Sequence, residues 1–206
     1  DGGVIIMIYL NNGATSWPKP ECVSNAVKKS LDELPSSAHR SGFEEEDDYN
    51  CKDLLAKLLK IDNPNNIIYG YNATFALNLA IQGFEFEKGD KVLTTAAEHN
   101  SVLRPLYYLQ NKNIIQYEVI AVNEEGRIDI NVWEEKIKEV KPRMVVFTHA
   151  SNVTGAVNDA EKLTAIAKKY NCIVLLDASQ SLGIIDVFPQ KWNIDMVAFT
   201  GHKYLL

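Results

Sequence analysis

Apolar residues in this chain follow two alternating patterns. Short runs rich in β-branched residues, Ile67 to Tyr69, Lys91 to Thr95, Ile114 to Val119, Met144 to Thr148, Ile173 to Asp177 and Met196 to Thr200, are in several cases nearly continuous in apolar side chains. Such runs suit strands covered on both faces. Between them lie stretches with apolar residues at helical spacing. Leu55, Leu58 and Leu59 share a stripe around residues 49–60, Leu77, Ala80 and Ile81 around 74–83, Val132, Ile137 and Val140 within 130–140, and Leu163, Ile166 and Ala167 around 160–170. Strand and helix taking turns predicts an α/β fold, a three-layer α/β/α arrangement with a mostly parallel sheet.

The first forty residues depart from this rhythm. Trp17-Pro18-Lys19-Pro20 interrupts regular structure, a helix is expected from Glu21 to about Leu34, and Pro35-Ser36-Ser37-Ala38 ends it. Residues 1–40 therefore read as an N-terminal arm and helix, and 41–206 as the main domain. The chain stops three residues after Lys203, directly behind a buried-type strand. This is expected of a piece of a longer protein, with the main domain incomplete. Met7 resembles a start, which leaves open whether residues 1–6 are native.

Composition narrows the classes. The 206 residues are 46% hydrophobic and 23% charged, as in globular proteins. A net charge of −6 and the lack of a Lys/Arg cluster disfavour a nucleic-acid partner, whose phosphates call for a basic face. No apolar run is long enough to span a membrane, and Asp1-Gly2-Gly3-Val4-Ile5-Ile6 lacks the basic start of a secretory signal. Cys22, Cys51 and Cys172 are odd in number and widely spaced, which argues against a disulfide framework or a zinc site and for a reducing, cytoplasmic setting.

In parallel α/β sheets ligands sit beyond the carboxyl ends of the strands, so the polar residues that follow each strand are the candidates. They are Asn72-Ala73-Thr74, Glu98-His99-Asn100-Ser101, Ser151-Asn152, Asp177 with Gln180, and Thr200, His202 and Lys203. Lys203, beyond an apolar strand, can be an imine-forming amine with a lowered pKa; alone, it reads far more readily as a surface lysine. Asp177 can pair with the ring nitrogen of a bound heterocycle or cap a helix. Asn72-Ala73-Thr74 opens a helix, as an anion site or as a plain cap. His99 can stack on a flat ring and move protons, or be structural. Gln180 can donate to a ligand oxygen or merely begin a helix. Together they describe the needs of one cofactor, a phosphate-bearing flat heterocycle. Asp177 and Lys203 lie 26 residues apart, room for one helix and one strand between two strand ends of one sheet. No G-x-G-x-x-G follows a strand, so a dinucleotide binder is disfavoured.

With these residues in view, the chain resembles the class V aminotransferase family of fold-type I pyridoxal 5′-phosphate (PLP) enzymes, and within it the cysteine desulfurases. The resemblance runs from about Met7 onward. It is carried by Met7 to Thr15, Asn72 to Asn78, Glu98 to Pro105, Thr148 to Gly155, Asp177 to Ser181 and Thr200 to Lys203. It implies that Lys203 holds PLP as a Schiff base, Asp177 pairs with the pyridine nitrogen, and Gln180 and Asn152 hold the phenolate side. It further implies that His99 stacks on the ring and moves protons, and that Ala73, Thr74, Thr200 and His202 bind the phosphate. The implied enzyme is a homodimer that converts cysteine to alanine and passes sulfur to an enzyme thiol and then to an acceptor protein. A class V aminotransferase, a related PLP lyase, or a catalytically inactive fragment of either is the alternative. Asn11, Asn72, Phe75 and Tyr204 depart from residues frequent in the family (Asp, Gly, an acid and Gly). The persulfide-forming cysteine and the substrate-carboxylate arginine of the family lie beyond Leu206; Cys22, Cys51 and Cys172 do not match that cysteine, and Cys172 is expected in the core.

Overall fold

The computed structural model describes residues 7–32 and 51–206. In chain order the elements are α1 (Glu21–Asp32), α2 (Cys51–Leu59), a 3-10 turn (Pro64–Asn66), α3 (Ala73–Gln82), β1 (Asp90–Thr95), α4 (Asn100–Asn111) and β2 (Ile115–Ile120). Then follow α5 (Ile130–Val140), β3 (Met144–Thr148), α6 (Ala160–Lys169), β4 (Ile173–Asp177), α7 (Pro189–Trp192) and β5 (Met196–Ala198). The strands form one sheet in the order β2-β1-β3-β4-β5, and every pairing is parallel.

Successive side chains of a strand point to opposite faces, and each face of this sheet has its own core. Leu93, Val145, Phe147, Val174 and Leu176 pack with Trp133 and Ile137 of α5 and Leu163 and Ala167 of α6. Their neighbours Val92, Met144, Val146 and Leu175 pack on the other face with Leu77 and Ile81 of α3 and Val102, Leu106 and Leu109 of α4. This doubly covered sheet is why the strand runs lack polar alternation, and it gives the expected three layers. Side chains start the helices. Asp129 Oδ1 accepts from the Asn131 and Val132 amides at α5, and Asp159 Oδ1 from the Lys162 amide at α6.

The order places a topological switch between β1 and β3. From β1 the chain moves outward to β2, then returns to the other side for β3, β4 and β5. The two connections diverge there, which opens a crevice at the strand ends. Asn158 holds the end of β3 in place. Its Oδ1 accepts from the Ile128 amide at 2.9 Å, and its Nδ2 donates to the Thr148 carbonyl at 2.9 Å, all within the interior.

The structure departs from the expected elements in three places. Ile67 to Tyr69 is not a strand: it has no ladder partner among the described residues, and Ile68 and Tyr69 are exposed. β5 ends at Ala198, because Thr200 lies beyond its last pairing with β4. Helix α4 is absent from the expected stripes; Pro105 inside it removes one backbone donor and disguises the periodicity. Its Leu106 and Leu109 are nevertheless buried. The helix expected to reach Leu34 is seen to Asp32. The break at Pro35 to Ala38, the boundary at residue 40 and residues 1–6 lie outside the described residues. Among the described residues no helix is long and apolar enough to cross a membrane.

Asn158→Ala should strand one buried donor and one buried acceptor. The expected loss is about 2–4 kcal/mol, read as a lower urea midpoint at unchanged slope.

Candidate functional site

At the switch point the ends of β1, β3, β4 and β5 meet the starts of α3 and α4 around a cavity of about 270 Å³. Ala73, Thr74, His99, Asn152, Asp177, Gln180, Thr200, His202 and Lys203 all line it. Sequence spacing alone could propose this convergence; the parallel register brings it about. A larger groove of about 780 Å³ between α3, residues 67–70 and β5 is mainly apolar and contains none of these residues. The smaller cavity, which gathers an amine, an acid and an imidazole, is therefore the candidate site.

Asp177 ends β4, in register with Thr148 of β3 and Ala198 of β5. It is 4% exposed. Both hydrogen bonds to its carboxylate, from the Ser179 amide and hydroxyl, fall on Oδ1, which leaves Oδ2 to the cavity. Lys203 lies in the turn beyond β5 and is half-buried. Burial pulls its pKa below the ordinary lysine value, and the attraction of Asp177 opposes that pull. The net shift makes the neutral amine, the form that attacks a carbonyl, accessible at lower pH than for an ordinary lysine.

His99 caps α4. The Ser101 amide donates to its Nδ1 at 3.1 Å, so Nδ1 is the acceptor and Nε2 of the neutral ring carries the proton. The Ser101 hydroxyl lies 2.7 Å from the same Nδ1, and the Thr74 hydroxyl 2.7 Å from Ser101 Oγ. The Ser101 amide thus sets the tautomer of the ring that caps α4, and a hydroxyl chain from α3 reaches the same nitrogen. At the start of α3, Asn72 Oδ1 accepts from the Phe75 amide, while the Ala73 and Thr74 amides have no intrahelical partner. They form an anion-binding end at the rim of the cavity.

Two features were not assigned from sequence. Ser101, quoted only within a motif, orients His99. The N-terminal arm closes one side of the cavity: Gly13 and Ala14 line it, and Gln180 Nε2 donates to the Gly13 carbonyl at 3.1 Å. The arm is also tied to the lysine turn. The His202 carbonyl lies within 3.1–3.2 Å of the Thr15 hydroxyl, the Ser16 amide and hydroxyl, and Lys19 Nζ. Contacts across more than 180 residues leave no local signal. Gly183 is equally tertiary. Its φ is +101°, and a Cβ there would lie 2.4 Å from the Tyr204 carbonyl oxygen, so the residue after Lys203 can approach only glycine.

A PLP-sized group fits this chemistry. The helix end with two free amides suits a phosphate, the unpaired Asp177 oxygen suits a protonated ring nitrogen, and the half-buried lysine suits an aldehyde. The three cysteines are not part of the lining. Cys172 is buried and its thiol is pushed up to about 11 by burial, so it holds little thiolate near neutrality.

The profile of the family described as "Aminotransferase class-V" matches residues 8–206. A probable cysteine desulfurase of Pyrococcus abyssi is 33% identical over 203 residues, covering 96% of this chain and 50% of that protein. Cysteine desulfurase IscS of Buchnera aphidicola is 30% identical over 207 residues, covering 95% and 50%. The apo structure of cysteine desulfurase from Thermococcus onnurineus superposes with a TM-score of 0.86 at 32% identity, over 96% of this chain and 50% of that one. The chain spans about half the length of the curated relatives it matches.

Reductive alkylation of Lys203 by a small aldehyde should reach half its maximal rate below pH 10.5, the ordinary lysine value. Asp177→Asn removes the charge that raises this pKa, so the midpoint should move lower still. Gly183→Ala should displace the turn and return the midpoint toward 10.5.

Proposed function

This chain belongs to the class V aminotransferase family, and from that premise we propose that it is the PLP-binding half of a cysteine desulfurase. The observation that carries the reading is the convergence of Lys203, Asp177, His99 and the free end of α3 on one small cavity. The alternatives of an aminotransferase or another PLP lyase share this half of the site; the relatives favour desulfurization.

In this reading residues 41–206 form an incomplete large domain. Lys203 Nζ would hold the cofactor. Asp177 Oδ2 would bind its ring nitrogen, the start of α3 with Thr200 and His202 its phosphate, and Gln180 and Asn152 its phenolate side. His99 would lie against its ring. When bound, the cofactor supplies an electron sink for a carbanion at the amino-acid α-carbon.

The chain's own groups set what that sink can do. Asp177, nearly excluded from water, presents a carboxyl oxygen where a ring proton must be held. Lys203, with its ammonium disfavoured by burial, is suited to take a proton once its amine is free. His99 presents an Nε2 proton, fixed by the Ser101 amide at Nδ1, to whatever lies in the cavity. Cys22 and Cys51 are exposed on α1 and α2, away from the cavity. The sulfur-accepting thiol is thus assigned to the half that the relatives have and this chain does not span. The working enzyme is proposed to be a cytoplasmic homodimer that hands sulfur to an acceptor protein.

Adding PLP to this chain should produce a visible absorbance band that Lys203→Ala abolishes. The full-length protein should release alanine from cysteine. Transamination of another amino acid without alanine release would move the assignment to an aminotransferase, and a colourless chain at saturating PLP would mark it as an inactive fragment.

A further inference from the structure

Beside Asp177 lies a second acid that the proposed chemistry does not use. Glu98, between β1 and α4, is 8% exposed and does not line the cavity. Its Oε1 accepts from the Thr95 hydroxyl at the end of β1, at 2.5 Å, and from the Thr148 amide at the end of β3, at 2.9 Å. One oxygen thus bridges the two strands that flank the switch point. Oε2 is buried and has no partner. Thr148 is in register with Asp177, and the residue after Glu98 is His99. The bridge therefore sits beneath the two residues assigned to the ring nitrogen and the ring face.

We propose that Glu98 is a positioning residue of this site: a neutral carboxyl that locks the ends of β1 and β3 together and leaves the negative charge at the cavity floor to Asp177. The inference rests on the PLP reading for its functional meaning, but its geometry stands without it. Two buried carboxyls near one another cannot both ionise cheaply, and the better hydrated or better bonded one keeps the charge. Asp177 has two donors on one oxygen and an open second oxygen; Glu98 has an enclosed oxygen with no donor. Burial and the Asp177 charge push Glu98 up to about 8, against the lowering effect of the Thr95 and Thr148 hydrogen bonds. Asp177, from β4, is the charged group acting on it. From β1 and β3 it meets the Thr95 hydroxyl and the Thr148 amide, which do not titrate, and on its own loop its neighbour is His99.

The sign of the pH effect follows. A folded-state value of about 8 against the ordinary 4.5 means that Glu98 adds stability below pH 4.5 that is lost as pH rises toward 8. Glutamine keeps the shape and the accepting oxygen but does not titrate. Alanine leaves the Thr148 amide and the Thr95 hydroxyl without their acceptor.

The test uses two readouts on wild type, Glu98→Gln and Glu98→Ala. In the cofactor-free chain, urea midpoints between pH 4.5 and 8 should fall more steeply for wild type than for Glu98→Gln. In PLP titrations followed by visible absorbance, Glu98→Gln should bind within about threefold of wild type, and Glu98→Ala about tenfold more weakly or worse. If Glu98→Ala fails to fold, Glu98→Asp, with the carboxyl withdrawn by one methylene, should fold and show the same weakening. Equal pH slopes in wild type and Glu98→Gln would overturn the neutral carboxyl. Wild-type PLP affinity in Glu98→Ala, or in Glu98→Asp where that replaces it, would overturn the positioning role. A wild-type chain that gives no band would sink the cofactor reading instead, while the urea comparison still decides the charge state of Glu98.

Discussion

The negative charge of Asp177 is the constraint around which the site is arranged. A carboxylate 4% exposed at the end of a strand is costly unless something stabilises it. Two donors from Ser179 hold one oxygen, and the Lys203 ammonium attracts the carboxylate across the cavity. The same charge opposes ionisation of Glu98. A single acid thus influences the protonation of a base in front of it and of a second acid behind it, the pattern by which one site runs acid and base chemistry near neutral pH.

The scaffold makes such an arrangement possible by being rigid where the charge sits. Thr148, Asp177 and Ala198 are neighbours in the ladder, so the ends of three strands are fixed relative to one another by backbone bonds. Asn158 and Glu98 then tie the β3 end to its surroundings. Cores on both faces of the sheet hold these strands from either side. The turn that carries Lys203 lies outside the ladder, and there the N-terminal arm takes over, through four donors gathered at the His202 carbonyl. The arm, which the sequence suggests is an appendage, is part of the cavity wall.

The family relationship and the physical site agree at the level of residue types. The relatives are cysteine desulfurases, and the cavity brings together an amine, an acid, an imidazole and the start of a helix, the set on which the proposed PLP reading rests. The departures Asn72 and Phe75 are accommodated locally: Asn72 caps α3 through the Phe75 amide, and the two amides that face the cavity stay free. The backbone at Tyr204 packs against Gly183, whose missing side chain leaves room for the carbonyl of residue 204 whatever its side chain.

By itself, the sequence determined the alternation of strands and helices, the parallel sheet and the polar residues that follow β1, β3, β4 and β5. These follow from periodicity and from the rule that a doubly covered strand is apolar throughout, and they need only local information. Recognition of the family likewise came from ordered local motifs. The tertiary structure decided the rest. Ile67 to Tyr69 has strand composition but no ladder partner among the described residues, since a strand is defined by its neighbour. Helix α4 was hidden by Pro105 and is secured by burial of Leu106 and Leu109. The tautomer of His99, the unused oxygen of Asp177, the grip of Gln180 on Gly13 and the bridge made by Glu98 are contacts between side chains distant in sequence or set by their surroundings. Hydrogen-bond direction and desolvation depend on what lies within a few ångströms, which a linear string does not contain.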